Sequence, residues 1–281
     1  MQDRYVEVDG IRTRYWDAGS GDEAVLLIHG IGRYVEDWLS FIDTLASSHR
    51  LVALDLPGYG LSGKPCSFPY TLDAFAGFVG AFLDTLHLDV VSVIGHSLGG
   101  AIATRFAIMF PERCHGLILV SSAGLGRGLS LLFKLASIPL VGELLTRPDP
   151  SKGEQTMRFI VHDIATITPE MSAFDHAMAT QEGAPQAFLK TVRASVNILG
   201  QKPGAYGPNL RGLSGVGPRV GCIWGREDRI IPPSHADKVA ETLPGAMIRV
   251  IDGCGHLPMR EKPALFNEAV ARMLDGKHGR G

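Results

Sequence analysis

The sequence lacks any apolar run long enough to cross a bilayer. One of its longest apolar stretches, residues 128–141, is interrupted by Lys134 and Pro139, and a span needs about 20 predominantly apolar residues. Runs of like charge are missing too. With 27 basic and 29 acidic residues the formal net charge is −2, so neither a nucleic-acid surface nor a polybasic membrane patch is expected. The opening stretch MQDRYVEVDGIRTRYWDAG has no apolar signal core, so a cleaved export signal is not expected. The four cysteines, Cys66, Cys114, Cys222 and Cys254, form no C-x-x-C pair. They read as free thiols filling gaps, in a reducing, cytoplasmic setting. Metal-ligand spacings are absent. The glycine-rich GHSLGG lacks the spacing and acidic partner of a dinucleotide site. No cofactor is therefore expected.

What is present suits a packed chain. Hydrophobic residues make up 45% and charged residues 20% of 281, enough for one large domain or a core with a sizeable insertion. Tyr5 to Tyr15 alternates around Asp9-Gly10, a hairpin signal. Four short apolar runs follow: AVLLIH (24–29), LVALDL (51–56), VVSVIG (90–95) and GLILVS (116–121). Runs apolar on both faces suit parallel strands buried between helices. A 3.6-residue period predicts a helix over Asp73–Leu86, with Thr71 and Asp73 as caps. A second helix, Leu98–Phe110, is stopped by Pro111. Alternating strands and helices point to an α/β fold with a mostly parallel, doubly wound sheet behind an antiparallel N-terminal hairpin.

From about Leu125 to Gly207 the pieces are helix-like, broken by Pro139, Pro148, Pro150, Pro169 and Pro185, with no convincing strand. Strands resume at RVGCIWG (219–225) and MIRVID (247–252), and a helix over Pro263–Leu274 closes the chain. The expected organisation is a core of residues 1–124 and 208–281 with a helical insertion, 125–207. The insertion would lie over the carboxyl edge of the sheet, where open α/β sheets bind ligands.

Gly95-His96-Ser97-Leu98-Gly99 falls between a strand and a helix. A serine there sits on a sharp turn, and the glycines leave room for it. A hydroxyl needs a base to act as nucleophile, and the base needs a carboxylate to orient it. RVGCIWG runs into Arg226-Glu227-Asp228, and MIRVID runs into Gly253-Cys254-Gly255-His256. Ser97, Asp228 and His256 would then emerge at one sheet edge in that chain order. Glu227 and Asp252 are the rivals to Asp228, and Glu227, one place nearer the strand, should point away. Backbone N–H groups of Leu98 and Ile31 are candidates for an oxyanion hole. His29 should brace the loop that carries Ile31, and His96 should shape the elbow without transferring protons.

HGIG (29–32), DLPGYGLSGKP (55–65), GHSLGG (95–100), WGREDRIIP (224–232) and GCGHLPMREKP (253–263) resemble signatures of the α/β-hydrolase superfamily, in that superfamily's order. The resemblance covers nearly the whole chain. It implies the Ser-Asp-His triad, a cap built from the insertion, and a mostly structural loop at 55–65. Haloalkane dehalogenases and most epoxide hydrolases of this fold carry aspartate at the elbow, where this chain has Ser97. The pattern also resembles serine C–C hydrolases that cleave meta-cleavage products (2-hydroxy-6-oxo-dienoates). Those resemble one another in a cap arginine, where this chain has Asp175, with Arg158 and Arg193 farther off. They also commonly carry an aromatic residue after the histidine, where this chain has Leu257.

The expected activity is therefore a carboxylesterase-type serine hydrolase working through an acyl-enzyme. C–C hydrolysis, or perhydrolase and acyltransferase activity, are the alternatives. The partner is a small-molecule ester of a short to medium or aromatic acid, and the chain is expected as a monomer or homodimer. Trp38, Phe133, Phe159 and Leu257 are expected to line the pocket, with further apolar residues of the insertion: Leu131, Leu132, Leu135, Ile138, Leu140, Met157 and Ile160. Members of the fold that serve only as binding modules usually lose a triad residue, and here all three candidates are present. The base must be neutral to act, so activity should rise with pH through roughly ~6.5, the ordinary imidazole value.

Overall fold

The computed structural model describes residues 1–21, 23–147, 157–216 and 220–276; Pro148, Pro150, Pro218 and Arg219 lie outside them. The chain opens with a hairpin of β1 (Arg4–Val8) and β2 (Ile11–Ala18). Val8 pairs with Ile11. Asp9 and Gly10, at φ 49° and 73°, supply the left-handed pair that a two-residue hairpin turn requires. Next come β3 (Ala24–Ile28), α1 (Leu39–Leu45), β4 (Arg50–Leu54), α2 (Leu72–Thr85), β5 (Val91–His96), α3 (Leu98–Met109) and β6 (Cys114–Val120). Thr71 caps α2, its hydroxyl accepting the Ala74 N–H at 3.2 Å. Pro111 follows α3 and starts a single 3-10 turn.

Between β6 and the next long strand lie α4 (Leu131–Ala136), α5 (Val141–Leu145), α6 (Pro169–Ala179), α7 (Ala184–Ser195), the two-residue strands β7 (Val196–Asn197) and β8 (Gly200–Gln201), and α8 (Pro203–Gly212). The small β7–β8 pair corrects the expectation of an insertion without strands; two residues are too few for periodicity to register. Position 207, the expected end of the insertion, falls inside α8, which continues through Pro208. Asn209 fastens this helix to α3: its side chain accepts from Arg105 Nε and donates to the Ala101 carbonyl, at 2.8 and 2.9 Å. The chain ends with β9 (Val220–Gly225), α9 (Ser234–Thr242), β10 (Met247–Ile251), α10 (Pro258–Glu261) and α11 (Pro263–Leu274). Among the described residues, no helix is long and apolar enough to cross a membrane.

Eight strands form one sheet in the order β1-β2-β4-β3-β5-β6-β9-β10. Strands β4, β3, β5, β6, β9 and β10 run parallel, and β2 joins β4 antiparallel. Every residue of β3 and β5 is buried. Successive side chains of a strand leave opposite faces. Leu26 and Ile28 accordingly enter a core with Phe75, Phe82, Ile102 and Phe106, while Val25 and Leu27 enter the opposite core with Trp38, Phe41 and Phe266. Each such side chain contributes about 1.5–3 kcal/mol on burial. From β3 the chain builds outward to β4, then returns to lay β5 on the other side of β3. The loops after β3 and β5 therefore emerge side by side, at the switch point where such sheets place their sites.

Candidate active site

β5 ends at His96 and α3 begins at Leu98, so Ser97 alone makes the turn. Its φ of 54° and ψ of −116° lie in a region that non-glycine residues seldom adopt, at a cost of about 1–3 kcal/mol. Hydrogen bonds hold it there: Ser97 N donates to Val120 O at 2.9 Å, and Ser97 O accepts from Ala123 N at 3.0 Å. The flanking glycines are required by close approach. A Cβ on Gly95 would sit 2.3 Å from Gly99 O, and one on Gly99 would sit 2.2 Å from Ile28 O. Ser97 also heads a twelve-residue helix, whose N-terminal end favours negative charge. The loop after β3 turns back on itself where Arg33 N donates to Gly30 O at 3.1 Å. Ile31 and Gly32 form the bend, with Gly32 at φ 68°. Among the described residues, the Ile31 and Leu98 amides donate to no turn or loop carbonyl.

Asp228 and His256 meet across the ends of β9 and β10. Asp228 Oδ2 lies 2.8 Å from His256 Nδ1, and both side chains are buried. Asp228 Oδ1 accepts the amides of Ile230 and Ile231 at 2.8 and 3.0 Å. These bonds fix the carboxylate and reserve its other oxygen for the imidazole. Glu227 points away, as expected, and accepts the Cys254 amide at 2.9 Å. Asp252 pairs with Arg226 on the surface. Cys254 is buried, and burial pushes its thiol well above its ordinary value.

His96 brings the elbow and the histidine loop together. Its Nε2 donates to the His256 carbonyl at 2.8 Å, and the two rings lie 4.8 Å apart. Burial, then the neighbouring His256, drives its pKa well below the ordinary value, so the ring is neutral. His29 uses both ring nitrogens on backbone: Nδ1 donates to Gly30 O at 2.7 Å, and Nε2 accepts from Leu56 N at 2.9 Å. Burial lowers it to about 4. Within the 55–65 loop, buried Asp55 accepts the Val35 and Leu61 amides, each at 2.8 Å, and so ties that loop to the one after β3. No hydrogen bond joins the Ser97 hydroxyl to His256 among the described residues; catalytic hydrogen bonds in unliganded enzymes are often loose.

A cavity of about 510 Å³ lies between this edge and the helical insertion. Its wall reaches the site at Ile31, Gly32 and Ile230, while Ser97, Asp228 and His256 are outside the lining. Phe133 and Phe159 line it, as do Leu132, Met157 and Ile160. Trp38 and Leu257 do not, which corrects the expected pocket. Both are 0% exposed and pack in the core on the Phe41–Phe266 side of the sheet. Trp38 ends the 3-10 turn that leads directly into α1, and Leu257 is the residue before α10. Leu131 and Leu140 also face away, at 65% and 82% exposed.

The sequence reading missed Arg33. Its guanidinium pairs with Asp37 at 2.7 Å and with Asp175 of α6 at 2.8 Å, and both Arg33 and Asp175 line the cavity. Tyr34 donates to the same Asp175 oxygen, and Arg260 meets Asp37 at 2.8 Å. Arg260 and Arg33 together hold the buried Asp37 carboxyl well below its ordinary range against desolvation. The i, i+4 spacing of Arg33 and Asp37 is visible in the sequence; the long-range partner Asp175 is not.

The family model for the alpha/beta hydrolase fold matches residues 23–263. A dihydrolipoyllysine-residue acetyltransferase component of an acetoin cleaving system from Cupriavidus necator is 32% identical, over 97% of this chain and 69% of its own length. A 2-hydroxy-6-oxononadienedioate/2-hydroxy-6-oxononatrienedioate hydrolase from Burkholderia vietnamiensis is 30% identical, over 96% of this chain and 95% of its own. The solved meta-cleavage product hydrolase of Pseudomonas fluorescens superposes with a TM-score of 0.83 at 22% identity, over 97% of each chain; that likeness speaks for the fold alone. With the strained serine turn, the parallel sheet and a match over most of its length, the chain belongs to the alpha/beta hydrolase family.

Proposed function

We propose that the protein is a serine hydrolase that cleaves carboxylic esters of short to medium or aromatic acids. The observation that carries this reading is the buried 2.8 Å contact between His256 Nδ1 and Asp228, at the edge where Ser97 heads α3. Asp228 holds the Nδ1 proton and leaves Nε2 as the base. In this reading Nε2 takes the Ser97 proton while Oγ attacks the ester carbonyl carbon. The carbonyl oxygen gains the negative charge and is met by the Ile31 and Leu98 amides. As the tetrahedral species collapses, the C–O bond to the alcohol breaks and the imidazolium returns its proton to the departing oxygen. Water repeats the sequence on the acyl-enzyme and releases the acid. The insertion acts as a cap, and its Phe133 and Phe159 offer apolar surface to the acyl group.

C–C hydrolysis of meta-cleavage products is the second reading. It is favoured by the Burkholderia vietnamiensis relative and by Arg147 and His176 on the cavity wall, which could receive a substrate carboxylate. Against it, the cavity-facing Arg33 is already neutralised by Asp37 and Asp175. The test is turnover of p-nitrophenyl esters from acetate to palmitate beside a meta-cleavage dienoate, with Ser97→Ala as control. Ester turnover that falls at least about 10³-fold in Ser97→Ala supports the first reading. Serine-dependent turnover of the dienoate alone supports the second, and wild-type rates in Ser97→Ala overturn both.

A further inference from the structure

Glu261 is the last residue of α10 and is 5% exposed. Its carboxylate collects backbone amides from two separate stretches of chain. One stretch is the histidine loop: Gly255 N donates at 3.0 Å and Leu257 N at 3.2 Å, the residues on either side of His256. The other is the stretch that follows cavity-lining Phe159 and Ile160: His162 N donates at 2.7 Å and Asp163 N at 3.2 Å. Two further contacts join the same stretches. His256 N donates to Ile160 O at 3.0 Å. Gly255 lies against that stretch so closely that a Cβ on it would meet His162 N at 2.6 Å and Ile160 O at 2.8 Å.

We propose that Glu261 is a positioning residue that clasps the His256 loop to the cavity-lining stretch 157–163, so that filling the cavity sets the imidazole for reaction. The physical reason is the sharing of one carboxylate. Its four donors are backbone amides, which cannot rotate away as side chains do. A carboxylate with no proton offers acceptors in both directions, which no amide or hydroxyl of similar size can do. The stretch it holds exposes Met157, Phe159 and Ile160 to the cavity and grips the histidine loop from behind. An acyl chain pressing on Phe159 and Ile160 therefore bears on the backbone of His256. Misplacement of a reacting group by an ångström costs about 10²-fold in rate, so small shifts of this unit are enough to matter.

The proposal rests on the reading of His256 as base, and His256→Ala tests that reading separately. The experiment measures kcat and KM for p-nitrophenyl esters of increasing acyl length in wild type, Glu261→Gln and His256→Ala. In wild type, kcat should climb with acyl length until the cavity is filled. Glutamine keeps the size but turns an NH2 toward amide donors, so one of the two stretches is released. Its kcat should fall about 10- to 100-fold, with KM within about threefold, and should no longer vary with acyl length. A wild-type kcat that ignores length, with all discrimination in KM, overturns the proposal, as does a Glu261→Gln enzyme with the wild-type kcat profile. Thermal unfolding accompanies the kinetics. If Glu261→Gln does not fold, Phe159→Ala carries the test: its kcat maximum should move to longer acyl chains, and an unmoved maximum overturns the coupling. Full activity in His256→Ala would sink the base assignment instead.

Discussion

At the scale of single residues, the site depends on one carboxylate with divided duties. Asp228 Oδ1 is taken by two amides, and Oδ2 is left for His256. In Asp228→Asn the side-chain oxygen can still accept those amides, but the NH2 then faces Nδ1 and forces the proton to Nε2, where a base cannot use it. Turnover should drop about 10⁴-fold while the unfolding midpoint changes little, measured by ester kinetics and a thermal melt. That Ser97, Asp228 and His256 share one sheet edge was legible in the sequence, because each follows a recognisable strand. Trp38 and Leu257 could not be placed, because an apolar residue beside a site does not reveal which face of the sheet it joins. The Arg33–Asp175 pair spans the sheet edge and the insertion, and no local pattern encodes such a meeting.

At the scale of elements, the crossing of β5 into α3 leaves no spare volume. Gly99→Ala would place a methyl 2.2 Å from the backbone oxygen of Ile28, an atom fixed in the central strand of the sheet. Overpacking of this kind costs about 1–3 kcal/mol, and a rigid backbone partner puts this site at the upper end. The expected outcome is a lower urea midpoint together with reduced ester turnover, because β3 also carries the Ile31 loop. The strands were legible almost to the residue: 247–252 was expected and Met247–Ile251 is found. The helix Pro263–Leu274 agrees at both ends. Strands apolar on both faces and helices with one apolar stripe declare themselves. The insertion did not, because its described helices are short and the β7–β8 strands are only two residues long.

For the whole molecule, three buried histidines, His29 and His96 bracing the loops above the sheet and His235 in α9, set its response to acid. His29 and His235 are lowered by burial from 6.5 to about 4, and His96 falls well below. In the unfolded chain these rings take up protons near 6.5, so the unfolded state binds more protons between that value and about 4. Stability is thus fully present above 6.5 and is lost as pH falls toward 4; for His29 the loss is about 3 kcal/mol. Asp55 works the other way, since burial raises it to about 7, and offsets part of the effect. With three histidines against one carboxyl, the urea midpoint should fall between pH 6.5 and 4.5. His29→Asn should start lower at neutral pH and show a shallower decline. An unchanged slope in the variant would remove His29 as a contributor.

The seat of the insertion in the sheet has a consequence of its own. The strands it separates, β6 and β9, are parallel neighbours, Leu117 pairing with Val220 and Val120 with Ile223, so the chain leaves at the carboxyl end of β6 and must cross back about 10 Å, three residues of strand, to enter β9 one strand spacing away. That crossing segment is tied to the core at a few places: Ile160, His162 and Asp163 hold the His256 loop through backbone and Glu261, and Asn209 holds α3. A change of length elsewhere in the segment leaves those ties standing, whereas a change at any of them reaches the sheet edge through the backbone.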